Sequence, residues 1–195
     1  QLYHKLQPEI SAQGLEKLLH EVELPLIEVL ATMEHTGVKL DLAVLRNLST
    51  TMDQESQTLA QEIHGLAGEV FNIASPKQLG EILFSKLKLV ANAKKTPSGQ
   101  YATGEEVLQT LAQEHAIAAK ILTYRELQKL KSTYVDALPT MLSPVDGLIH
   151  TSYNQAVTTT GRLSSTHPNL QNIPIRTEKG REMIRSRLLR RVGRR

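Results

Sequence analysis

DLAVLRNLSTTMDQESQTLAQEIHGLAG, residues 41–68, is the stretch with the longest helical pattern in the sequence. Its apolar residues recur at three- and four-residue steps, which places them on one face of an α-helix. Asp41 fits the N-cap position because its side chain can accept a hydrogen bond from the first helical amides. The stretch therefore predicts a long helix ending at about Gly68, with a polar outer face and the apolar stripe Leu45, Leu48, Met52, Leu59, Ile63 and Leu66.

A second helical pattern precedes this stretch. Between residues 14 and 35 apolar side chains again recur at three- and four-residue steps. Pro25 is expected to kink this helix because proline lacks an N–H and its ring crowds the preceding turn. Gly37 closes the segment, and residues 38–40 form a short link to the long helix.

A short helix is expected after residue 70. Ser75 is an N-cap candidate, and Pro76 occupies the first helical position, where the missing N–H costs nothing. Residues 88–103 contain turn formers and no sustained period, which indicates an exposed loop.

Two further helices are predicted before residue 140. Thr103 and Glu106 fit a capping box that opens the first of them. The second runs from about residue 117 to 138 and ends at Pro139.

The pattern changes at SPVDG, residues 143–147, which is a turn sequence. Residues 148–153 then alternate apolar and polar side chains and are rich in β-branched and aromatic types, so a strand is expected there. The predicted fold class is mainly α with a small β portion, that is, α+β.

The charge is unevenly distributed. The formal net charge is +3, but from Arg176 onward there are 9 basic and 2 acidic residues, which leaves 14 basic and 18 acidic groups before it. The net charge is therefore a weak indication of nucleic-acid binding. Two local clusters say more, although a solvated face explains either one alone; their members are Lys77, Lys86, Lys88, Lys94 and Lys95, and Lys120, Arg125, Lys129 and Lys131.

Composition also limits the compartment. The chain has no Cys, which excludes disulfides and thiolate metal sites and fits a reducing compartment, so a cytoplasmic location is expected. No apolar run approaches 20 residues and no signal-peptide pattern opens the sequence, so no membrane partner is expected. Because it opens with Gln1, we expect a soluble chain cut from a longer one.

No familiar catalytic motif is present. The sequence lacks HExxH, a phosphate-binding Gly-rich loop and a nucleophile elbow, and its seven His residues show no metal-ligand spacing. A dense set of hydrogen-bonding side chains does stand out between Asn154 and Arg176. Composition alone favours a loop that satisfies its own backbone, pinned to a core by Val157, Leu163, Leu170 and Ile173.

The order of several strings points further. KLKSTYVDALP (129–139), HTSYNQAVTTTGRLSST (150–166) and HPNLQNIPIRTEKGRE (167–182) together resemble the family A DNA polymerases, the bacterial DNA polymerase I type. TGRLSS followed by PNLQNIP is very specific. The resemblance also covers GVKLD (37–41), FNIASPKQLGEILF (71–84), KKTPSGQYATGEEVL (94–108) and ILTYREL (121–127).

The resemblance implies an elongated helical thumb attached to an incomplete palm. Its expected parts are the end of a preceding exonuclease-like domain (1–19), the thumb (20–140), the start of the palm (141–182) and an atypical basic tail (183–195). It also implies a monomeric DNA-directed DNA polymerase of replication and repair, a nucleotidyltransferase whose partner is primer/template DNA.

Specific DNA contacts follow from the same resemblance. In that family the Arg of TGR and the amides of PNLQNIP lie along the minor groove near the primer end, which corresponds here to Arg162, Asn169, Gln171 and Asn172, with Gln155 and Thr160 as neighbours. Every base pair presents an acceptor in that groove, so fixed donors can test pair geometry without reading identity. The expected sugar-phosphate contacts are Asn72, Ser75, Lys77, Lys94, Lys95, Lys129, Lys131, Ser132 and Thr133.

The catalytic metal ligands are expected to be missing. Nucleotidyl transfer needs two metal ions held by carboxylates, and in the family these follow the segment that matches TEKGRE. After Arg162 the only acidic residues are Glu178 and Glu182, and neither matches a metal-binding position. The chain is therefore expected to hold no cofactor and to be inactive alone, whereas the complete enzyme would use magnesium and deoxynucleotide triphosphates.

The final stretch, MIRSRLLRRVGRR (183–195), departs from the family pattern after Glu182. An Arg/Leu/Gly run of this kind is what a shifted reading frame gives in GC-rich DNA, so a frameshift or a partial gene end is expected. A genuine basic tail that binds phosphate is the alternative.

Two other classes of function stay open. A non-enzymatic helical DNA-binding module would fit if Arg162 and the amides faced a protein core. A helical protein-interaction scaffold would fit the pair of helical patterns at 15–68.

Overall fold

A computed structural model describes residues 2–173, 180–181 and 189–190. The chain divides into two compact units. The terminal unit consists of residues 2–42 and the described residues from Leu138 onward, and the central unit is Ala43–Ala137. Most of the regular structure is helical and the strands are short, so the predicted mainly α class with a small β portion is confirmed.

The helices and strands follow one another along the chain with π-helical turns at three places and one 3₁₀ turn in the described residues. In chain order they are α1 (Leu2–Ala12), α2 (Glu16–Leu18), the π turn Leu19–Glu23, α3 (Leu24–Thr36), β1 (Lys39–Leu40), α4 (Leu42–Ala67), α5 (Pro76–Gly80), the π turn Glu81–Lys86, α6 (Glu105–Leu111), α7 (Ala116–Leu130), the π turn Lys131–Val135, the 3₁₀ turn Leu138–Met141, β2 (Ser152–Asn154), β3 (Ser164–Thr166) and β4 (Leu189–Arg190).

Pro25 lies in the first turn of α3, directly after a π turn in the helical region predicted at 14–35. The preceding π turn is closed by the Leu24 N–H, which reaches back to the Leu19 carbonyl, and Pro25 follows at the start of α3. A π turn is a usual way to absorb a local break in the helical ladder. Gly37 ends the helix, with a φ of +66° and its N–H 3.1 Å from the Met33 carbonyl. A side chain at position 37 would also come within 2.8 Å of His150.

Two antiparallel strand pairs and one isolated bridge connect distant parts of the terminal unit. β1 pairs with β4, and β2 pairs with β3 with Tyr153 opposite Ser165. Val38 and Ile149 form the isolated bridge through two backbone hydrogen bonds of 2.8 and 2.9 Å. The strand predicted at 148–153 is therefore split, since Ile149 forms only the bridge and β2 begins at Ser152.

The central unit has its own apolar core. The long helix α4 matches the prediction, and Gly68 ends it with a φ of +72° and its N–H on the His64 carbonyl. From the predicted stripe, Leu48 and Leu59 are only half-buried and Leu66 is exposed. The core consists of Ile63, Ala67, Ile73, Leu79, Ile82, Leu83, Phe84, Leu108, Leu111, Ile117, Ala118 and Ile121.

Two predicted helix ends are wrong. The capping box at Thr103 does not form, because α6 begins at Glu105 after Gly104 and no side chain caps it. Thr103 is buried instead. Pro139 does not end the last helix, which passes through a π turn, while Pro139 itself lies in the 3₁₀ turn Leu138–Met141. The division into exonuclease-like end, thumb and palm stays a prediction.

His150 joins the end of α3 to the segment before β2. Its Nδ1 lies 2.6 Å from the Glu34 carbonyl oxygen and its Nε2 lies 2.9 Å from Asp146 Oδ2. Both partners are acceptors, so only the doubly protonated imidazolium donates to both. The Glu34 carbonyl and then the Asp146 carboxylate raise the pKa of His150. The N–H of Leu148, more than His150, lowers the pKa of Asp146.

The terminal unit is expected to lose stability as the pH rises through the pKa of His150. A pKa that is raised in the folded state means that the His150 contribution is complete below the unfolded value of about 6.5 and disappears above the folded one. Thermal unfolding measured from about pH 6 to about pH 9 should show this decline in midpoint, and His150→Gln should flatten it.

His4→Gln is the matched control, because His4 is exposed on α1. It should leave the decline in place, whereas the same slope in His150→Gln would contradict the assignment. At the acid end, the Asp146 contribution should vanish as the pH falls through its lowered folded-state pKa.

Candidate nucleic-acid interface

The polar segment after β2 is built on two buried hydroxyl groups. Thr151 and Ser165 are 3% and 0% exposed, and their side-chain oxygens lie 2.7 Å apart. Ser165 Oγ accepts from the Leu170 N–H at 3.2 Å, and Thr151 Oγ1 donates to the Pro168 carbonyl at 2.7 Å. Among the predicted apolar anchors, Ile173 is buried, but Val157 is 68% exposed and pins nothing.

The arginine and amides that the sequence assigns to the minor groove are exposed. Asn169, Gln171 and Asn172 follow one another in the turn above the hydroxyl pair, and Arg162 follows the turn closed by Gly161. The Arg162 carbonyl accepts the Thr158 hydroxyl at 2.6 Å, which holds the backbone while the guanidinium stays at the surface. The predicted neighbour Thr160 is exposed in the same loop.

Gln155 differs from the other amides. Its Nε2 lies 3.0 Å from the Glu23 carbonyl oxygen and 2.7 Å from Glu23 Oε2. An amide nitrogen has two protons, so both are used within the terminal unit. In this conformation Gln155 has no side-chain donor left for a base, and its minor-groove role stays a prediction.

Glu23 and Glu34 are residues of this site that the sequence did not single out. Glu34 Oε1 accepts the Tyr153 N–H at 2.6 Å, so two carboxylates of the α2–α3 region hold consecutive parts of the segment 153–155. The partners are 119 and 132 residues apart. No local pattern could have identified them, because a Glu in a helical segment is ordinarily a solvent-exposed residue without a specific role.

The predicted contacts Asn72 and Ser75 serve the start of α5. Ser75 is the N-cap, as predicted, with its Oγ 3.4 Å from the Gln78 N–H, and Pro76 follows. Asn72 Oδ1 accepts the Ala74 N–H at 3.0 Å, and the Asn72 N–H donates to Gln78 Oε1 at 2.7 Å. These groups fix the loop, while the nearby Lys77 is exposed.

Lys94 and Lys95 lie on a closed hairpin rather than on an irregular loop. Ala102 N–H donates to the Lys94 carbonyl at 2.9 Å, and Thr96 N–H donates to the Gln100 carbonyl at 2.7 Å.

Tyr101 attaches this hairpin to the unit by three contacts. The centroid of its ring lies 5.2 Å from that of Phe84, and its hydroxyl accepts a hydrogen bond from Ser85 at 3.2 Å. Tyr101 also packs closely against Gly80, where a Cβ atom would come within 2.8 Å of the Tyr101 Cβ. Both lysines are exposed, and Lys95 Nζ lies 5.1 Å above the Tyr101 ring.

A cleft of about 730 Å³ lies beside the hairpin. Its lining comes from the start of α5, the hairpin and α7. Arg125 is the cationic residue in this lining, and its Nη1 donates to the Thr103 carbonyl at 2.6 Å. Burial lowers the pKa of Arg125, although a guanidinium stays charged.

The predicted contacts at the end of α7 have different environments. Lys129, Ser132 and Thr133 are exposed. Lys131 is held between two carboxylates, with Nζ 2.7 Å from Asp136 Oδ2 and 3.3 Å from Asp53 Oδ1. The Asp136 hydrogen bond is the main cause that raises the pKa of Lys131. Its charge is neutralised within the central unit, which gives Lys131 a structural role and weakens its assignment to DNA.

The two predicted contact sets belong to different units. Minor-groove candidates lie in the terminal unit and sugar-phosphate candidates in the central unit.

In the described part of the chain, no group of three or more His, Asp or Glu side chains could hold a metal ion. A separate finding is that none of the helices in the described ranges is long and apolar enough to cross a membrane.

A sequence profile of DNA polymerase family A matches residues 42–192. The chain belongs to the family A DNA polymerases. The matched range extends beyond Glu182. The similarity to the family therefore does not end at Glu182, as the sequence pattern predicted.

Several bacterial relatives support the same assignment. DNA polymerase I of Chloroflexus aurantiacus is 51% identical over 189 residues, which cover 95% of this chain and 20% of that protein. The Geobacillus stearothermophilus enzyme is 48% identical over 182 residues, with shares of 93% and 20%. The thermostable enzyme of Thermus aquaticus is 50% identical over 177 residues, with shares of 89% and 21%. The chain spans about a fifth of the length of these relatives.

A solved structure is also similar. It is the POL domain of Pol1 from M. smegmatis in complex with DNA primer-template and dNTP, with a TM-score of 0.77 and 41% sequence identity. The similarity covers 90% of this chain and 31% of the M. smegmatis chain.

Replacing Lys131 should destabilise the central unit. Lys131→Met keeps the aliphatic stem but leaves Asp53 and Asp136 without their shared cation, so a loss of about 1 kcal/mol in the free energy of unfolding is expected. Lys129→Met is the matched control, since Lys129 is exposed. Urea denaturation of both variants checks this, and equal stabilities would contradict the structural role.

Proposed function

We propose that this chain is the primer/template-binding part of a family A DNA polymerase, with a helical thumb at about 20–140 and the start of the palm at 141–182. The thumb would hold the sugar-phosphate backbone, and donors of the palm segment would enter the minor groove. Family membership supports the proposal, as does the M. smegmatis relative, whose solved complex contains a DNA primer-template. The complete polymerase would act in DNA replication and repair.

One observation carries the proposal. Arg162, Asn169, Gln171 and Asn172 are exposed, while the hydroxyls of Thr151 and Ser165 beneath them are buried. A segment that only satisfied its own backbone would have no need to keep the Arg162 guanidinium and the amides of Gln171 and Asn172 at the surface. The arrangement also argues against a module in which Arg162 and the amides face a protein core.

The chemistry of the exposed groups fits duplex DNA of any sequence. Purine N3 and pyrimidine O2 are acceptors in the minor groove of every base pair, and a guanidinium or amide NH₂ donates to them without distinguishing the pairs. A mispair displaces these acceptors. Donors at fixed positions therefore bind a correct primer end better than an incorrect one.

The thumb contacts would be electrostatic. Lys77, Lys94, Lys95 and Lys129 are exposed and can approach phosphates, which gives sequence-independent affinity that falls with salt. Ser132 and Thr133 are exposed hydroxyls at the end of α7 and can add phosphate hydrogen bonds. Asn72 and Ser75 would act mainly by holding the loop before Lys77.

Binding of primer/template should be weak, salt-dependent and sensitive to Arg162. At low salt we expect a dissociation constant of roughly 10⁻⁵ M for a labelled duplex with a recessed primer end, measured by fluorescence anisotropy. Arg162→Ala should weaken it about tenfold, because a charged hydrogen bond is lost. Arg46→Ala, which removes the same charge from an exposed site on α4, should have a small effect.

Equal losses in the Arg162 and Arg46 variants would show that only net charge matters and would contradict minor-groove binding. Salt-independent binding, or none at any protein concentration, would instead favour the protein-interaction scaffold.

The chain should not polymerise. Template-directed synthesis by the complete enzyme would use magnesium and deoxynucleotide triphosphates, and the acidic residues after Arg162 are limited to Glu178 and Glu182. Primer extension with purified chain, magnesium and all four nucleotides should therefore give no product. Incorporation of even one nucleotide, absent from a chain-free control, would overturn this part of the proposal.

A further inference from the structure

The turn that carries the candidate minor-groove amides rests on the hydroxyls of Thr151 and Ser165. Both side chains are buried, in a described chain whose buried residues are mostly apolar. A buried hydroxyl is stable only when hydrogen-bonded, because moving it from water without a partner is unfavourable. The partners of these two groups therefore have to stay in place for the fold to form.

One arrangement of protons satisfies the short contacts. The Leu170 N–H donates to Ser165 Oγ, and the Ser165 hydroxyl has two acceptors within reach, Thr151 Oγ1 at 2.7 Å and the Pro168 carbonyl at 3.1 Å. Thr151 then donates to the Pro168 carbonyl, also at 2.7 Å. The chain of hydrogen bonds begins at Leu170 and returns to Pro168, so both its ends lie in the same turn.

Asn169 closes this turn from the solvent side. Its Oδ1 accepts the N–H groups of Gln171 and Asn172, both at 3.1 Å. Backbone groups from Pro168 to Asn172 are thus held from below by the two hydroxyls and from above by one amide oxygen. The NH₂ group of Asn169 and the side chains of Gln171 and Asn172 remain on the exposed side.

We infer that Thr151 and Ser165 are positioning residues that set the sensitivity of this site to the geometry of the primer-terminal base pair. The inference rests on the proposed function. Amides on a loose turn would follow the displaced acceptors of a mispair and bind it almost as well as a correct pair. Amides on a turn fixed by buried hydroxyls cannot follow, so they favour a correctly paired duplex end.

Amide hydrogen exchange on the full chain tests the support of the turn. Thr151→Val keeps the shape of the side chain and removes its hydroxyl, whereas Thr151→Ser keeps the hydroxyl. In Thr151→Val and Ser165→Ala, exchange at Leu170, Gln171 and Asn172 should be roughly tenfold faster, the effect of one lost hydrogen bond. Thr151→Ser should restore slow exchange, and the exposed control Thr51→Val should change nothing.

Two exchange results would overturn the inference. One is unchanged exchange at residues 170–172 in Thr151→Val. The other is an equal increase throughout the terminal unit, including the Tyr153 amide that Glu34 holds, because the pair would then serve general packing.

Primer/template binding separates this inference from the proposed function. Duplexes with a matched and a mismatched primer-terminal pair are compared at low salt for the wild type, Thr151→Val and Arg162→Ala. Thr151→Val should lower the preference for the matched duplex severalfold. If Arg162→Ala weakens binding but Thr151→Val keeps the full preference, the positioning role is wrong. If neither variant changes binding although exchange has increased, the proposed function fails and the support of the turn stands.

Discussion

The need to pair two buried hydroxyl groups is the constraint on which the candidate DNA-binding segment depends. Thr151 precedes β2 and Ser165 lies in β3, so the contact between them is made by the β2–β3 register. Their other hydrogen bonds go to the backbone of Thr166, Pro168 and Leu170. The strand pair and the turn are consequently one cooperative structure, and the exposed amides take their direction from a part of the chain that solvent does not reach.

Local patterns predicted much of the helical part of this fold. The stretch 41–68 gave the correct long helix because its apolar period and terminal glycine act within one segment. Ser75 and Pro76 were likewise correct, since an N-cap and a first-turn proline act over a few residues. Thr103 was predicted wrongly, because its side chain is buried and does not cap α6.

The candidate site was only partly predictable for a similar reason. Exposed groups such as Arg162 could be assigned from the order of the motifs, but the state of Gln155 depends on Glu23, far away in sequence. Lys129 and Lys131 also could not be distinguished from the sequence, because they share residue type and charge. A π turn begins at Lys131, so the helical face extrapolated from α7 ends there, and the side chain meets two carboxylates instead of solvent.

The closed hairpin around Tyr101 has a consequence for kinetics. Loop ordering on binding usually lowers affinity and slows complex formation, because flexible backbone must be fixed after encounter. Here the backbone beneath Lys94 and Lys95 is already hydrogen-bonded and attached to the core through one aromatic ring. An anionic partner that diffuses to these ammonium groups therefore binds a surface whose backbone is already ordered. The association rate at the hairpin is then governed by long-range electrostatic attraction rather than by folding of the loop.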